Sequence, residues 1–276
     1  MGVRDWNWLA SKPKPLIPGF IDMCPILIQF GGFTVYAYGA ILALGFVVGG
    51  ILILLKARRE KISLDRVIEL FSLAIFSGLV GSRGLYILIN LPLFREDPVK
   101  IFKIWEGGLV FYGGFLLAVA MTIGYMKWYR LPIWKMADLF APSVALGLFF
   151  ARIGCFMAGC CYGKETSLPW GITFTDPHSL ARLNIPLHPT QLYEAAGGLV
   201  LFLFLIWMEK RKSYDGQIFW LFLLLYSILR FLIEIVRDDP RGFLFGMFLS
   251  TSQTIGIFLA ILSLFMLNYL RRRRRR

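Results

Sequence analysis

Histidine is nearly missing from this chain, with His178 and His188 the only two in 276 residues. Cysteine is scarce as well: four residues are too few for a disulfide framework. Three of them, Cys155, Cys160 and Cys161, crowd into seven residues. Cys155 nevertheless stands alone in its turn, the adjacent Cys160 and Cys161 are expected to diverge, and no second pair completes a tetrahedral set, with both histidines well downstream. No metal and no cofactor is therefore expected, and the three thiols read as small, polarisable packing residues.

Charge is the third shortage. Charged residues make up 17% against 57% hydrophobic, and the mean hydropathy is +0.65. This excludes a soluble core and describes a polytopic membrane protein with one membrane domain over residues 1–276. The formal net charge of +13 would suggest nucleic acid in a soluble protein. Here the basic residues cluster between apolar runs, where membrane orientation and anionic lipid account for them, and no nucleic acid partner is expected. The first thirty residues lack the basic start, short apolar core and small-residue cleavage site of a removable signal. Nor does the chain show an inverted repeat or paired broken helices, which weakens a transporter reading.

What is present is a succession of apolar runs, each near the ~20 residues a spanning helix needs. Seven transmembrane helices are expected: residues 35–55, 67–89, a third running from the glycine-rich stretch 107–114 to about 126, then 139–158, 192–208, 218–236 and 249–270. The fold class is all-α. Residues 1–33, broken by Pro13, Pro15, Pro18 and Pro25, read as an interfacial segment, 159–190 as a periplasmic loop and 271–276 as a basic cytoplasmic tail. Connectors 56–66, 127–135 and 209–212 with the tail carry 17 of the 30 basic residues, in short segments. The positive-inside bias then puts the N-terminus outside and the C-terminus in the cytoplasm.

The functional signal is arginine at membrane depth. Arg152 follows a nearly pure apolar run, where its charge costs roughly 3 kcal/mol or more unless an anion meets it. That anion is either a buried carboxylate or part of a ligand. Gly154, Ala158, Gly159 and Gly163 leave room beside it. Arg83 sits among Gly81, Ser82 and Gly84 in the second span, and Arg230 and Glu234, one turn apart, are expected to neutralise each other. Arg237 either joins that ion-pair network or points towards Arg152. The Gly107-Gly108 and Gly113-Gly114 pairs bracket Tyr112, as helix packing or as backbone facing a ligand. In His188-Pro189-Thr190-Gln191-Leu192-Tyr193-Glu194, Gln191 and Glu194 share one face of a helix start. With this orientation Tyr38, Arg83, Tyr112, Arg152, residues 188–194 and Arg237 fall at one membrane depth, which suits an anionic phospholipid headgroup with arginines gripping phosphate.

These motifs, in this order, also carry a resemblance. Tyr38-Gly39, the arginine and tyrosine of residues 81–86, Trp-Glu-Gly-Gly before Phe111, Arg-Ile-Gly with Phe156 and Gly163, the 188–194 segment and Arg230 to Arg237 make the chain similar to the prolipoprotein diacylglyceryl transferase family. The resemblance implies a seven-span enzyme of the bacterial inner membrane. It would move diacylglyceryl from phosphatidylglycerol to the lipobox cysteine of a prolipoprotein signal peptide, releasing glycerol phosphate in the first step of lipoprotein maturation. Expected catalytic residues are Arg152, Arg237, Tyr112, Tyr38 and His188. Expected substrate-binding residues are Arg152, Arg83, Gly113, Gly114, Gly154, Gly163, Gln191 and Glu194. The sequence departs from the family pattern at Tyr112, where a histidine is usual, and at Cys155 and the 158–160 stretch, where asparagine and glutamate are usual. An unperturbed tyrosine, with a pKa of about 10, is a poor base at neutral pH. The proton would then go to a Tyr112 made more acidic by arginines, to His188, or be lost from the substrate thiol in the positive field. A phospholipid-binding relative with altered chemistry is the alternative.

Overall fold

The computed structural model describes residues 25–30, 33–103, 107–238, 243–244 and 249–275. Eight α-helices carry these residues. They are α1 (Ala37–Arg59), α2 (Leu64–Ile89), α3 (Leu91–Glu96), α4 (Phe111–Trp128), α5 (Ile133–Ala158), α6 (Thr190–Glu209), α7 (Gln217–Glu234) and α8 (Thr251–Arg275). Six of them, α1, α2, α5, α6, α7 and α8, are long and apolar enough to cross a membrane. The expected third span corresponds to α4, which falls outside those six. Its 18 residues include Lys127, Trp128 and two tyrosines, and they rise about 27 Å against a hydrocarbon core of about 30 Å.

Short antiparallel pairs, not expected from the sequence, form before α1, within the 159–190 loop and before α8. Strands β1 (Ile26–Phe30) and β2 (Phe33–Tyr36) form a hairpin, and Ala37 N–H donates to Pro25 O at 2.9 Å, tying the hairpin to α1. The β-branched residues Ile26, Ile28, Thr34 and Val35 suit this pairing. The rest of the expected interfacial segment, residues 1–24, lies outside the described residues. The connector after α2 is ordered into α3 and a 3₁₀ turn, Pro98–Ile101, each opened by a proline whose missing N–H is harmless in a first turn. In the 159–190 loop, β3 (Ile172–Thr173) pairs with β4 (Pro186–Leu187), and Phe156, Phe174, Ala181 and Leu187 form a buried apolar cluster. Strands β5 (Phe243–Leu244) and β6 (Leu249–Ser250) precede α8. The basic tail is not a separate segment: α8 runs through Arg275, where arginines complement the partial negative charge of a helix C-terminus.

The chain divides into two compact units. The first comprises Met1–Leu44, Leu148–Gly198 and Ile228–Ile257; the second comprises Gly45–Gly147, Leu199–Ser227 and Phe258–Arg276. In the second unit, Ile53, Ala57, Val67, Leu70, Met126, Met136 and Leu139 form an apolar core. Beside it are two buried charges that sequence reasoning passed over. Lys56 donates to Leu139 O at 3.0 Å and pairs with Glu209. Asp138 accepts from Gly216 N at 2.7 Å and Phe219 N at 2.8 Å, and pairs with Lys212 at 3.0 Å. It therefore satisfies donors at the start of α7, where a carboxylate also meets the positive end of the helix.

Candidate active site

Glu194 is the centre of the polar cluster in the first unit. It lies on the second turn of α6, is 4% exposed, and is the meeting point of three guanidiniums. Arg152 of α5 pairs through Nε with Oε2, Arg237 Nη1 donates to Oε1 at 2.8 Å, and Arg230 Nη1 lies 3.6 Å from Oε1. Arg230 also pairs with Glu234, one turn along α7, at 2.6 Å, and Ser250 Oγ donates to the other Glu234 oxygen at 2.8 Å. Of the three arginines, Arg152 has the most accessible side chain, 17% exposed against 10% for Arg230 and 2% for Arg237. The buried carboxylate is the partner the charge of Arg152 requires, and the same carboxylate fixes the direction of its fork.

Local backbone geometry sets these positions. Arg237 follows α7 in an antiparallel bridge with Gly163, and Lys164 N–H donates to Val236 O at 2.9 Å. Gly163 N–H donates to His188 O at 2.9 Å, so three segments meet at one glycine. A Cβ on Gly163 would lie 2.6 Å from both His188 Cβ and Val236 O, which makes this glycine a packing requirement rather than an opening towards a ligand. Gly154 packs against Tyr38, whose Cδ2 would lie 3.1 Å from an added Cβ. Thr190 Oγ1 donates to Cys161 O and Gln191 Nε2 to Cys160 O, each at 2.8 Å, fastening the start of α6 to the chain leaving α5. Gln191 is 1% exposed, and its Oε1 has no hydrogen-bond partner among the described residues.

His188 is half-buried, with Nδ1 3.2 Å from Tyr193 Oη, which accepts from Trp170 Nε1 at 2.8 Å. When Nδ1 carries the proton of the neutral ring and donates it to that Tyr193 hydroxyl, the Nε2 lone pair is left free. His178, by contrast, is exposed and sits beside Asp176.

The three thiols contradict the expected divergence. Their sulfurs lie within 4.8 Å of one another, because Gly159 (φ +73°) and Cys161 (φ +64°) turn the chain through the left-handed region. Hydrogen bonding from Cys155 and Cys160 draws the Cys161 thiol down, helped by Arg237 and Arg152, while Cys160 is pushed up by the same sharing with Cys155 and Cys161.

Arg83, Tyr112, Gly113 and Gly114 belong to the second unit. Arg83 is buried and spends its donors on backbone: Nε to Ile101 O at 3.1 Å, Nη1 to Gly107 O at 2.7 Å and Gly108 O at 3.1 Å, and Nη2 to Lys103 O at 3.3 Å and to Lys100 O. These carbonyls occupy the guanidinium that had been expected to help hold a phosphate. Gly113 and Gly114 are likewise packing residues. A Cβ on Gly113 would lie 2.4 Å from Gly81 O, and one on Gly114 2.5 Å from Gly78 O, so α2 and α4 approach backbone to backbone. Tyr112 is 55% exposed and has a neighbouring ring, Phe111, but no hydrogen-bond partner among the described residues. Trp105, Glu106, Asp239 and Pro240, which carry part of the sequence pattern, lie outside the described residues. Arg83→Ala is expected to loosen residues 100–103 and 107–108, raising their amide hydrogen exchange by at least roughly tenfold, since about 1.4 kcal/mol of lost anchoring already gives that factor. Unchanged exchange there would contradict the anchoring role.

The fold and this cluster define a class: a polytopic helical membrane protein with buried arginines organised by a carboxylate. Within that class the chain belongs to the prolipoprotein diacylglyceryl transferase family, whose model matches residues 25–269. A phosphatidylglycerol–prolipoprotein diacylglyceryl transferase of Clostridium tetani is 37% identical over 246 residues, covering 89% of this chain and 97% of that protein. Proteins of the same name from Geobacter sulfurreducens, 34% identical over 92% of this chain and 98% of theirs, and Vibrio atlanticus, 36% identical over 90% and 92%, are similar along the same length.

Proposed function

We propose that this chain transfers the diacylglyceryl group of phosphatidylglycerol to the cysteine thiol of a prolipoprotein lipobox, forming a thioether and releasing glycerol phosphate. The observation that carries the reading is the gathering of Arg152, Arg230 and Arg237 on Glu194, with Gln191, one turn earlier on α6, keeping a buried Oε1 that has no hydrogen-bond partner among the described residues. A phosphate with an attached glycerol needs both: guanidinium donors for its oxygens and an acceptor for a hydroxyl proton.

In the reaction the thiolate sulfur attacks the glyceryl carbon bonded to the phosphate oxygen. The sulfur–carbon bond forms as the carbon–oxygen bond breaks, and glycerol phosphate departs with the electron pair. Arg152 and Arg237 neutralise the charge that grows on the departing phosphate, oriented in advance by Glu194. Arg230, held by Glu234, supports the carboxylate. Tyr38, beside Gly154, orients the headgroup. His188 takes the thiol proton at Nε2; it sits on the segment that carries Gln191 and Glu194.

In this reading α4 also crosses the membrane, for seven spans in all, with the N-terminus outside and the end of α8 in the cytoplasm of a bacterial inner membrane. The distribution of basic residues supports that orientation.

The test is transfer by the purified protein in detergent, from phosphatidylglycerol labelled in both glycerol moieties to a lipobox peptide. A peptide mass increased by diacylglyceryl, equal release of glycerol phosphate and no product with serine in place of the cysteine are expected. His188→Phe should lose more rate at neutral pH than Tyr112→Phe and recover as pH rises through about 8.5, where a free thiol ionises unaided. Lipid binding without product would overturn the transfer, and a loss confined to Tyr112→Phe would move the base to Tyr112.

A further inference from the structure

The three thiols that the transfer reaction does not use are brought together by a helix cap. Gly159 N–H donates to Phe156 O and Cys160 N–H to Cys155 O, both at 3.1 Å. This is the pair of bonds of a Schellman motif, with the left-handed Gly159 just past the helix end. The motif folds the residue after the glycine back over the last turn, so Cys160 returns above Cys155. The second left-handed residue, Cys161, then swings its own thiol to the same side. Thr190 and Gln191 hold the carbonyls of Cys161 and Cys160 from α6, so the loop is braced rather than free to spread its sulfurs.

We propose that Cys155, Cys160 and Cys161 form a three-thiolate site for a soft, thiophilic d10 metal ion, with Cu(I) as the best physiological fit. All three sulfurs lie within 4.8 Å of one another. A planar trigonal set with metal–sulfur bonds of about 2.3 Å needs sulfurs about 4.0 Å apart, a contraction small enough for side-chain rotation. Among the described residues the cluster contains no histidine or carboxylate to complete a tetrahedron, which disfavours a closed structural zinc site. Thiolates alone, at a coordination number of three, select Cu(I). Cys155 is buried while Cys160 and Cys161 are partly open, so an ion has a route to the outer two sulfurs and the third closes beneath it.

The experiment uses the full chain, reduced and anaerobic in detergent, titrated with Cu(I) held by a coloured bicinchoninate chelate. Wild-type protein is expected to withdraw about one Cu(I) per chain and, once loaded, to resist native alkylation at the three cysteines. All three fall on one tryptic peptide, residues 153–164, so a single mass reports them together. Cys24→Ser should withdraw Cu(I) like wild type, Cys160→Ser should bind at least about tenfold more weakly, and the triple serine variant should withdraw none. Gel-filtration profiles identify any variant that fails to fold, and the single variants Cys160→Ser and Cys161→Ser carry the test if the triple variant does. No withdrawal by folded wild-type protein, or equal withdrawal by a folded variant lacking two of these thiols, would overturn the site.

Discussion

Glu194→Gln is expected to be the most damaging conservative substitution in the chain, lowering transfer below about 1% of wild type and thermal stability together. The replacement keeps the shape of the side chain and removes its charge. Glutamine also places an N–H₂ group among guanidiniums that need an acceptor. Breaking a buried pair by removing one partner costs roughly 3–5 kcal/mol, because the remaining charge stays desolvated. Here one carboxylate serves three arginines, with contacts to Arg237 at 2.8 Å and Arg230 at 3.6 Å as well as the pair with Arg152. Thermal unfolding in detergent reads the stability and the labelled-lipid assay the turnover. A Glu194→Gln protein as stable and as active as wild type would remove Glu194 from the centre of the cluster.

Arg152→Lys separates positioning from charge. The most accessible of the three guanidiniums keeps one positive charge but loses the planar fork that grips a phosphate while Nε is held by Glu194. Turnover is expected to fall roughly 10²-fold, the scale of losing a preorganised donor to developing negative charge. Stability should fall by less than the roughly 3–5 kcal/mol of a broken buried pair, because a lysine keeps the charge that pairs with the carboxylate. A variant with unchanged kcat would show that Arg152 acts as a structural ion-pair partner alone. A variant equally impaired in stability and turnover would point the same way.

The parts of this arrangement that follow a period were legible in the sequence. Helix positions emerged from apolar runs, and the one-turn spacings of Gln191 with Glu194 and of Arg230 with Glu234 put those pairs on shared faces. What runs against the period was harder to read. An arginine in a span looks the same whether its donors meet a ligand or carbonyls, so nothing local distinguished Arg83, bound to the carbonyls of Lys100, Ile101, Lys103, Gly107 and Gly108, from Arg152, held by Glu194. The glycine pair at Gly113 was ambiguous for the same reason, since close helix packing and ligand access both demand a missing side chain. The convergence of the thiols did have a signal. Gly159 directly after an apolar helix is a C-terminal capping residue, and reading it that way would have predicted Cys160 folding back on Cys155. Asp138 gave no local sign of its role, because its partners, Gly216 and Phe219, lie far along the chain.

The most direct test of the account is a double-mutant cycle on transfer, comparing wild type, Arg152→Lys, Glu194→Gln and the double variant under single-turnover conditions. If Glu194 works by orienting Arg152 against the departing phosphate, the two substitutions disable one device, and the double variant should be no slower than Glu194→Gln within about twofold. Losses that multiply, with the double variant slower by the product of the two single effects, would mean that the arginine and the carboxylate act independently and would contradict the cluster as a single phosphate-binding unit.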